Sequence, residues 1–236
     1  CLDHTFGGKL TSCLVNPRAC HETELVINPA EAKKRIAVVG AGPAGLSFAV
    51  TAAQRGHAVV LFDAGSEIGG QLNIAKQVPG KEEFHETLRY YRRQLELLGV
   101  DVRLHNRVHA SDLAGQGYDE VVVATGIQPR TPDIDGITHP KVLSYLDVLR
   151  DKKPVGQRVA VIGAGGIGFD VAEYLTHEGE SGALAPAKFN AEWGIDASYA
   201  QAGGLRAAQV EPPARQVHLL QRKTSKVGDQ LGKTTG

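Results

Sequence analysis

Gly40, Gly42 and Gly45 stand in the stretch VVGAGPAG at the spacing G-x-G-x-x-G, between a β-branched run and an apolar helical pattern. In that setting the first glycine permits a tight turn, the second lets backbone approach a pyrophosphate, and the third lets helix and strand sit close. The helix N-terminus then stabilises the phosphate charge. The spacing alone is weak, and a glycine turn with no ligand is the alternative. What strengthens it is Asp63, which ends the next strand 18 residues after Gly45, where a carboxylate can accept hydrogen bonds from an adenosine ribose.

Gly163, Gly165 and Gly168 repeat the pattern in VIGAGGIG. Laid over one another, the 22 residues from Arg35 and the 22 from Arg158 share nine identities. Here the following strand ends in Gln221, Arg222 and Lys223, with no carboxylate for a ribose diol. A pair of cations suits a 2′-phosphate and favours NADP over NAD, a solvated strand end being the other reading. Two cradles of this kind describe a flavoprotein reductase with FAD in the first and NADPH in the second. Gly69, Gly70 and Gln71 offer a second glycine turn and an amide for an extended FAD. Ala124, Thr125 and Gly126 resemble the "ATG" turn of two-dinucleotide flavoproteins, where the chain passes the flavin. Lys81 can neutralise phosphate or lie in solvent, and its spacing does not separate the two.

Positioning these residues takes a βαβ unit, with a helix over 43–55 and a buried strand over 57–62. A helix over 81–98 follows from the stripe Phe84, Leu88, Tyr91, Leu95 and Leu98, with Gly99 to stop it. Strands are expected over 100–104 and 118–124, and a short helix over 141–150. The second unit begins at Pro154. From 178 to 215 periodicity is lost in favour of Ala, Gly and Pro, which reads as a long surface insertion containing Trp193, and 216–221 resumes as a strand. The fold class is therefore α/β, with two Rossmann-like dinucleotide-binding units on parallel sheets, the second incomplete.

The chain has 236 residues, enough for one large domain or two small ones. Its 26 basic and 26 acidic residues cancel, so no global field exists to hold nucleic acid or an anionic membrane. No apolar run approaches the ~18 residues of a membrane span, and CLDHTFGGKL lacks the features of a secretory signal, so a soluble, cytoplasmic protein is expected. Eleven residues separate Cys1 from Cys13 and six more precede Cys20, matching neither a zinc pattern nor a CxxC pair. By spacing alone inert thiols are the better reading. The nine histidines form no H-E-x-x-H, and nothing else supports a hydrolytic pair of Cys20 and His21. A cysteine at the start and the absence of methionine point to a piece of something longer.

Taken together, CLDHTFGGKLTSCLVNPRACHE, VVGAGPAG, LFDAGSEIGGQLNIAKQVPGKEEF, LRYYRRQ, PKVLSYLDVL, WGID and QRKTSKVG resemble the C-terminal half of bacterial NADPH-dependent 2,4-dienoyl-CoA reductases, iron-sulfur flavoenzymes of the old yellow enzyme type. The resemblance runs over essentially the whole chain. It implies a monomeric enzyme that reduces unsaturated fatty acyl-CoA in β-oxidation, with FMN and the catalytic acid on an N-terminal barrel that this chain lacks. It implies a 4Fe-4S cluster whose last two ligands fall on Cys1 and Cys13, the first two preceding residue 1, and excludes Cys20. It places FAD contacts on Ala44, Asp63, Gln71, Lys81 and Val108, and NADP contacts on Arg222 and Lys223. The implied organisation is an iron-sulfur segment and linker over 1–34, an FAD domain over 35–153 and a partial NADP domain over 154–236. A related enone reductase or amine dehydrogenase, a structural ADP-binding module and a standalone electron-transfer reductase remain open.

Overall fold

The computed structural model describes residues 2–13, 15–228 and 231. They form two compact units, one made of the chain up to Asn73 and Phe84–Asp135, the other of Ile74–Glu83 and the chain from Gly136 onward.

In the first unit, helix α1 (Leu2–Phe6) precedes β1 (Arg35–Val39), α2 (Pro43–Gln54) and β2 (Ala58–Phe62). After α3 (Leu72–Ala75), whose last two residues belong to the second unit, come α4 (Phe84–Leu97), β3 (Asp101–Arg103), α5 (Ala110–Leu113) and β4 (Glu120–Val123). The strands lie parallel in the order β3-β2-β1-β4, with Val39 opposite both Phe62 and Val123. β1 and β2 are buried on both faces, which is why RIAVV and AVVLF read as continuous apolar runs with no alternation. One face carries α2 and α4, where Leu46, Leu61 and Val38 are wholly buried beside Leu88, Tyr91 and Leu95. On another part of the sheet Ala37, Val60 and Phe62 pack with Val108, Leu113 and Tyr118. Leu61→Ala is expected to cost about 2–5 kcal/mol. The check is the midpoint of urea unfolding, and a loss below about 1 kcal/mol would mean that Leu61 does not anchor this core.

The second unit holds α6 (Tyr145–Leu149), β5 (Arg158–Ile162), α7 (Gly166–Thr176), α8 (Pro186–Glu192) and β6 (Gln216–Leu220). β5 and β6 pair in parallel, and both strands alternate between half-buried and exposed residues. The half-buried Val159, Val161 and Val217 join a core of Val78, Val148, Leu149, Val171 and Leu175. That packing differs from the expected division at 153/154. Val148 and Leu149 find their apolar partners on α7, and Val78 draws residues 74–83 in with them.

Two further differences have local causes. The helix expected from residue 81 begins at Phe84, because Lys81 and Glu82 are held by side chains of the second unit, described below. The insertion expected to be irregular contains α8, opened by Pro186 at a first-turn position, and an isolated bridge between Ile195 and Leu205. Its far end is pinned to the C-terminus of α7, where Ala214 N donates to Thr176 O at 2.8 Å and Arg215 Nη1 to Leu175 O at 3.2 Å. Trp193 is 69% exposed and stacks on Phe189 at 5.8 Å between ring centroids. Among the described residues no helix is long and apolar enough to cross a membrane.

α6 is closed by a capping box. Asp147 N donates to Ser144 Oγ at 3.2 Å, and Ser144 N donates to the Asp147 carboxylate at 2.8 Å. Lys153 and then Ser144 hold the Asp147 carboxyl far below the ordinary carboxylate range. A depressed carboxyl contributes stability above its unfolded pKa and loses it as pH falls toward the folded value. Ser144→Ala should therefore lower stability by about 1 kcal/mol at neutral pH. Asp147→Asn should flatten the fall in stability below about pH 4. Unfolding midpoints across pH test both, and an acid limb as steep in Asp147→Asn as in the parent would refute the second.

Candidate functional site

The first glycine turn joins β1 to α2. Gly40 N donates to Phe62 O at 2.7 Å, and Gly40 sits at φ 108°, in the region that favours glycine. A Cβ on Gly40 would run into the Ala124 carbonyl, and one on Gly45 into the Gly40 carbonyl. These two glycines are thus required by close backbone approach. Gly42 differs, because a Cβ there would meet nothing within 4 Å. It occupies the N-cap of α2, where no side chain caps the helix and no acidic residue lies in the first turn. An open backbone beside an uncapped helix N-terminus is what a pyrophosphate requires.

Asp63 follows β2 directly and braces this turn. Its Oδ2 accepts from Ala41 N at 2.6 Å and its Oδ1 from Gly65 N at 2.7 Å. Each oxygen keeps a second lone pair, so a ribose hydroxyl can still be received. The loop after it closes over the turn, with Gly69 N donating to Ala41 O at 2.7 Å. Gly70, at φ 51°, comes so close that an added Cβ would lie 3.0 Å from Gly42 Cα. Ala44 and Gln71 are exposed beside the turn, and Ala124 abuts Gly40 and Gly45, followed by the exposed Thr125 and Gly126. Val108 instead packs its half-buried side chain with Phe62 and Tyr118.

The second turn has the same construction. Gly163 N donates to Leu220 O at 2.8 Å, a Cβ on Gly168 would collide with the Gly163 carbonyl, and Gly165 is the open N-cap of α7. One difference is physical. Nothing lies within 4 Å of a Cβ on Gly163, because among the described residues no strand flanks β5 as β4 flanks β1. Gln221 follows β6 as Asp63 follows β2. Arg222 and Lys223 come next, both exposed, and among the described residues neither head group makes a hydrogen bond or ion pair.

Lys81 belongs to the second unit, whereas the other residues expected around FAD belong to the first. Its Nζ donates to Asp170 Oδ1 at 2.6 Å, and both side chains are partly buried. Next to it, Gly80 N donates to Ser181 Oγ at 3.3 Å. Burial alone would raise the Glu82 carboxyl, but the bond from Ser181, the N–H groups of Glu82 and Gly80 and the nearby His177 bring it below its ordinary value. Asp170 and Ser181 had no signal in the sequence, since they stand about 90 to 100 residues from the segment they hold.

Of the thiols, Cys13 is half-buried, Cys20 is exposed and Cys1 lies outside the described residues. A 4Fe-4S cluster takes four thiolates. Among the described residues no three His, Cys, Asp or Glu side chains come together in a way that could hold a metal, and of the two thiols expected as ligands only Cys13 is among those residues.

The sequence profile of the pyridine nucleotide-disulphide oxidoreductases matches residues 34–227. Curated relatives include a metal reductase of Desulforamulus reducens, 37% identical over 183 residues that cover 76% of this chain and 27% of the relative. A bilirubin reductase of Mediterraneibacter gnavus is 37% identical over 179 residues, covering 76% and 28%. Among solved structures, a 2-naphthoyl-CoA reductase in complex with 2-naphthoyl-CoA matches with a TM-score of 0.71 at 36% identity, over 75% of this chain and 27% of that one. The chain thus spans about a quarter of the length of these relatives.

Proposed function

The chain belongs to the pyridine nucleotide-disulphide oxidoreductase family, and on that premise we propose that it is the FAD- and NADPH-binding portion of a reductase acting on unsaturated fatty acyl-CoA, of the 2,4-dienoyl-CoA reductase type. FAD is assigned to residues 35–153 and NADP to 154–236. One observation carries this reading. Two glycine turns of the same geometry are each followed, at the end of the next strand, by side chains of different chemistry, a carboxylate at Asp63 and the cations Arg222 and Lys223. The CoA thioester in the name of the naphthoyl-CoA reductase supports the choice of substrate class.

Gly42 leaves room for a pyrophosphate, and the α2 N-terminus supplies N–H groups to it. Asp63 orients the adenosine ribose, while Gly70 and Gln71 line the extended remainder with Ala124, Thr125 and Gly126. On the second turn, Gly165 and the N-terminus of α7 receive the nicotinamide dinucleotide's pyrophosphate. Arg222 and Lys223 receive its 2′-phosphate. When bound, these two groups supply hydride transfer from reduced nicotinamide to flavin, and the side chains here bind and orient without acting as acid or base. No ligand set for a cluster is present among the described residues, and reduction of the acyl-CoA double bond falls to residues beyond the two turns.

The purified protein is expected to be yellow with bound FAD, and to bleach under anaerobic NADPH at least about tenfold faster than under NADH. A colourless protein that takes up no FAD, or equal rates with the two donors, would overturn the reading.

A further inference from the structure

Position 221 is the counterpart of position 63. Phe62 and Leu220 end their strands opposite Val39 and Ile162, and each accepts a hydrogen bond from the first glycine of its turn. From this shared place the two side chains do opposite things. Asp63 faces the glycine turn and accepts from Ala41 N. Gln221 instead engages the loop that follows it, where its Nε2 donates to Lys223 O at 3.0 Å and to Ser225 O.

We infer that Gln221 is a positioning residue for recognition of a 2′-phosphate, its amide folding residues 222–225 into a closed loop that presents Arg222 and Lys223 together. This rests on the proposal that the second turn takes NADPH. The chemistry of the two bonds decides the residue type. Two carbonyl oxygens call for two N–H donors on one atom, which a primary amide has and a carboxylate lacks. A glutamate would set its negative charge against both carbonyls, open the loop and place beside the ribose the acceptor that suits a free 2′-hydroxyl. Closing the loop before the ligand arrives lowers the cost of ordering two long cationic side chains. Lys226, also exposed, adds a third cation to the same short stretch.

The test is calorimetric titration of the full chain with 2′,5′-ADP and with 5′-ADP. The parent should prefer 2′,5′-ADP clearly. Gln221→Leu should weaken 2′,5′-ADP about tenfold while moving 5′-ADP no more than about twofold, and Gln221→Glu should weaken it further. A parent that does not distinguish the two ligands overturns the NADPH reading, and this inference with it. If the parent prefers 2′,5′-ADP, Arg222→Ala/Lys223→Ala loses the preference and both Gln221 variants keep it, only the role of Gln221 is refuted. Equal losses for both ligands in Gln221→Leu would reduce the residue to a general structural part and refute it as well.

Discussion

Gly42→Val should leave the chain folded and empty of flavin, whereas Gly40→Val should leave too little folded first unit for binding to be measured. The contrast follows from what surrounds each α-carbon. At Gly40 a side chain meets the Ala124 carbonyl, while the φ of 108° is itself costly for any residue but glycine. Neither neighbour is a flexible side-chain end, so the strand pairing of β4 with β1 has to yield, at roughly 3 kcal/mol or more. At Gly42 an added Cβ meets nothing within 4 Å, at a φ of −76° that any residue adopts. The cost there falls on a pyrophosphate approaching the backbone, and flavin affinity should drop by about two orders of magnitude or more. Urea unfolding and the flavin content of the purified variants separate the outcomes. A Gly42→Val protein that retains flavin like the parent would show that no dinucleotide runs past this turn.

The second large effect belongs to Arg222→Ala/Lys223→Ala. Each cation can make a charge-assisted hydrogen bond to a phosphate, worth about 1.5–3 kcal/mol, and exposure puts both at the lower end of that range. Together they should account for about a hundredfold of the proposed preference for NADPH over NADH. The double variant should therefore reduce flavin at similar rates with either donor. Its NADH kinetics should stay near the parent's, because the proposed pyrophosphate contacts fall on Gly165 and the α7 N-terminus instead. Parent kinetics with NADPH should weaken as salt is added, and those of the double variant much less. Rapid-mixing kinetics with the two donors provide the measurement, and a preference within about threefold of the parent's would remove both residues from the 2′-phosphate site.

What could be read from the sequence was what is local. The glycine spacing, the β-branched runs of β1 and β2, and the stripe Leu88, Tyr91 and Leu95 each state their geometry within a few residues, and the parallel α/β fold follows from them. The place of Asp63 at the end of β2 was legible for the same reason. Its bond to Ala41 N was not, since which atom a carboxylate reaches depends on how two turns are set against each other. Lys81 shows the limit most clearly. Its spacing left phosphate and solvent equally open, and the structure gives it Asp170, which no periodicity connects to it. The start of α4 moved to Phe84 because tertiary contacts claimed the residues before it, and α8 was hidden because only seven residues, starting at Pro186, carry it.

Residues 74–83 leave the first unit in mid-course and give Val78 to the core of the second before the chain returns at Phe84. A gene cut after Asp135 would then encode a ten-residue stretch with nothing to bury Ile74 and Val78 against, and one starting at Gly136 would lack a side chain that is 2% exposed in its interior. Neither half can be excised as a contiguous piece without leaving apolar surface bare, so expression of the halves apart should yield sticky, poorly soluble material that coexpression rescues.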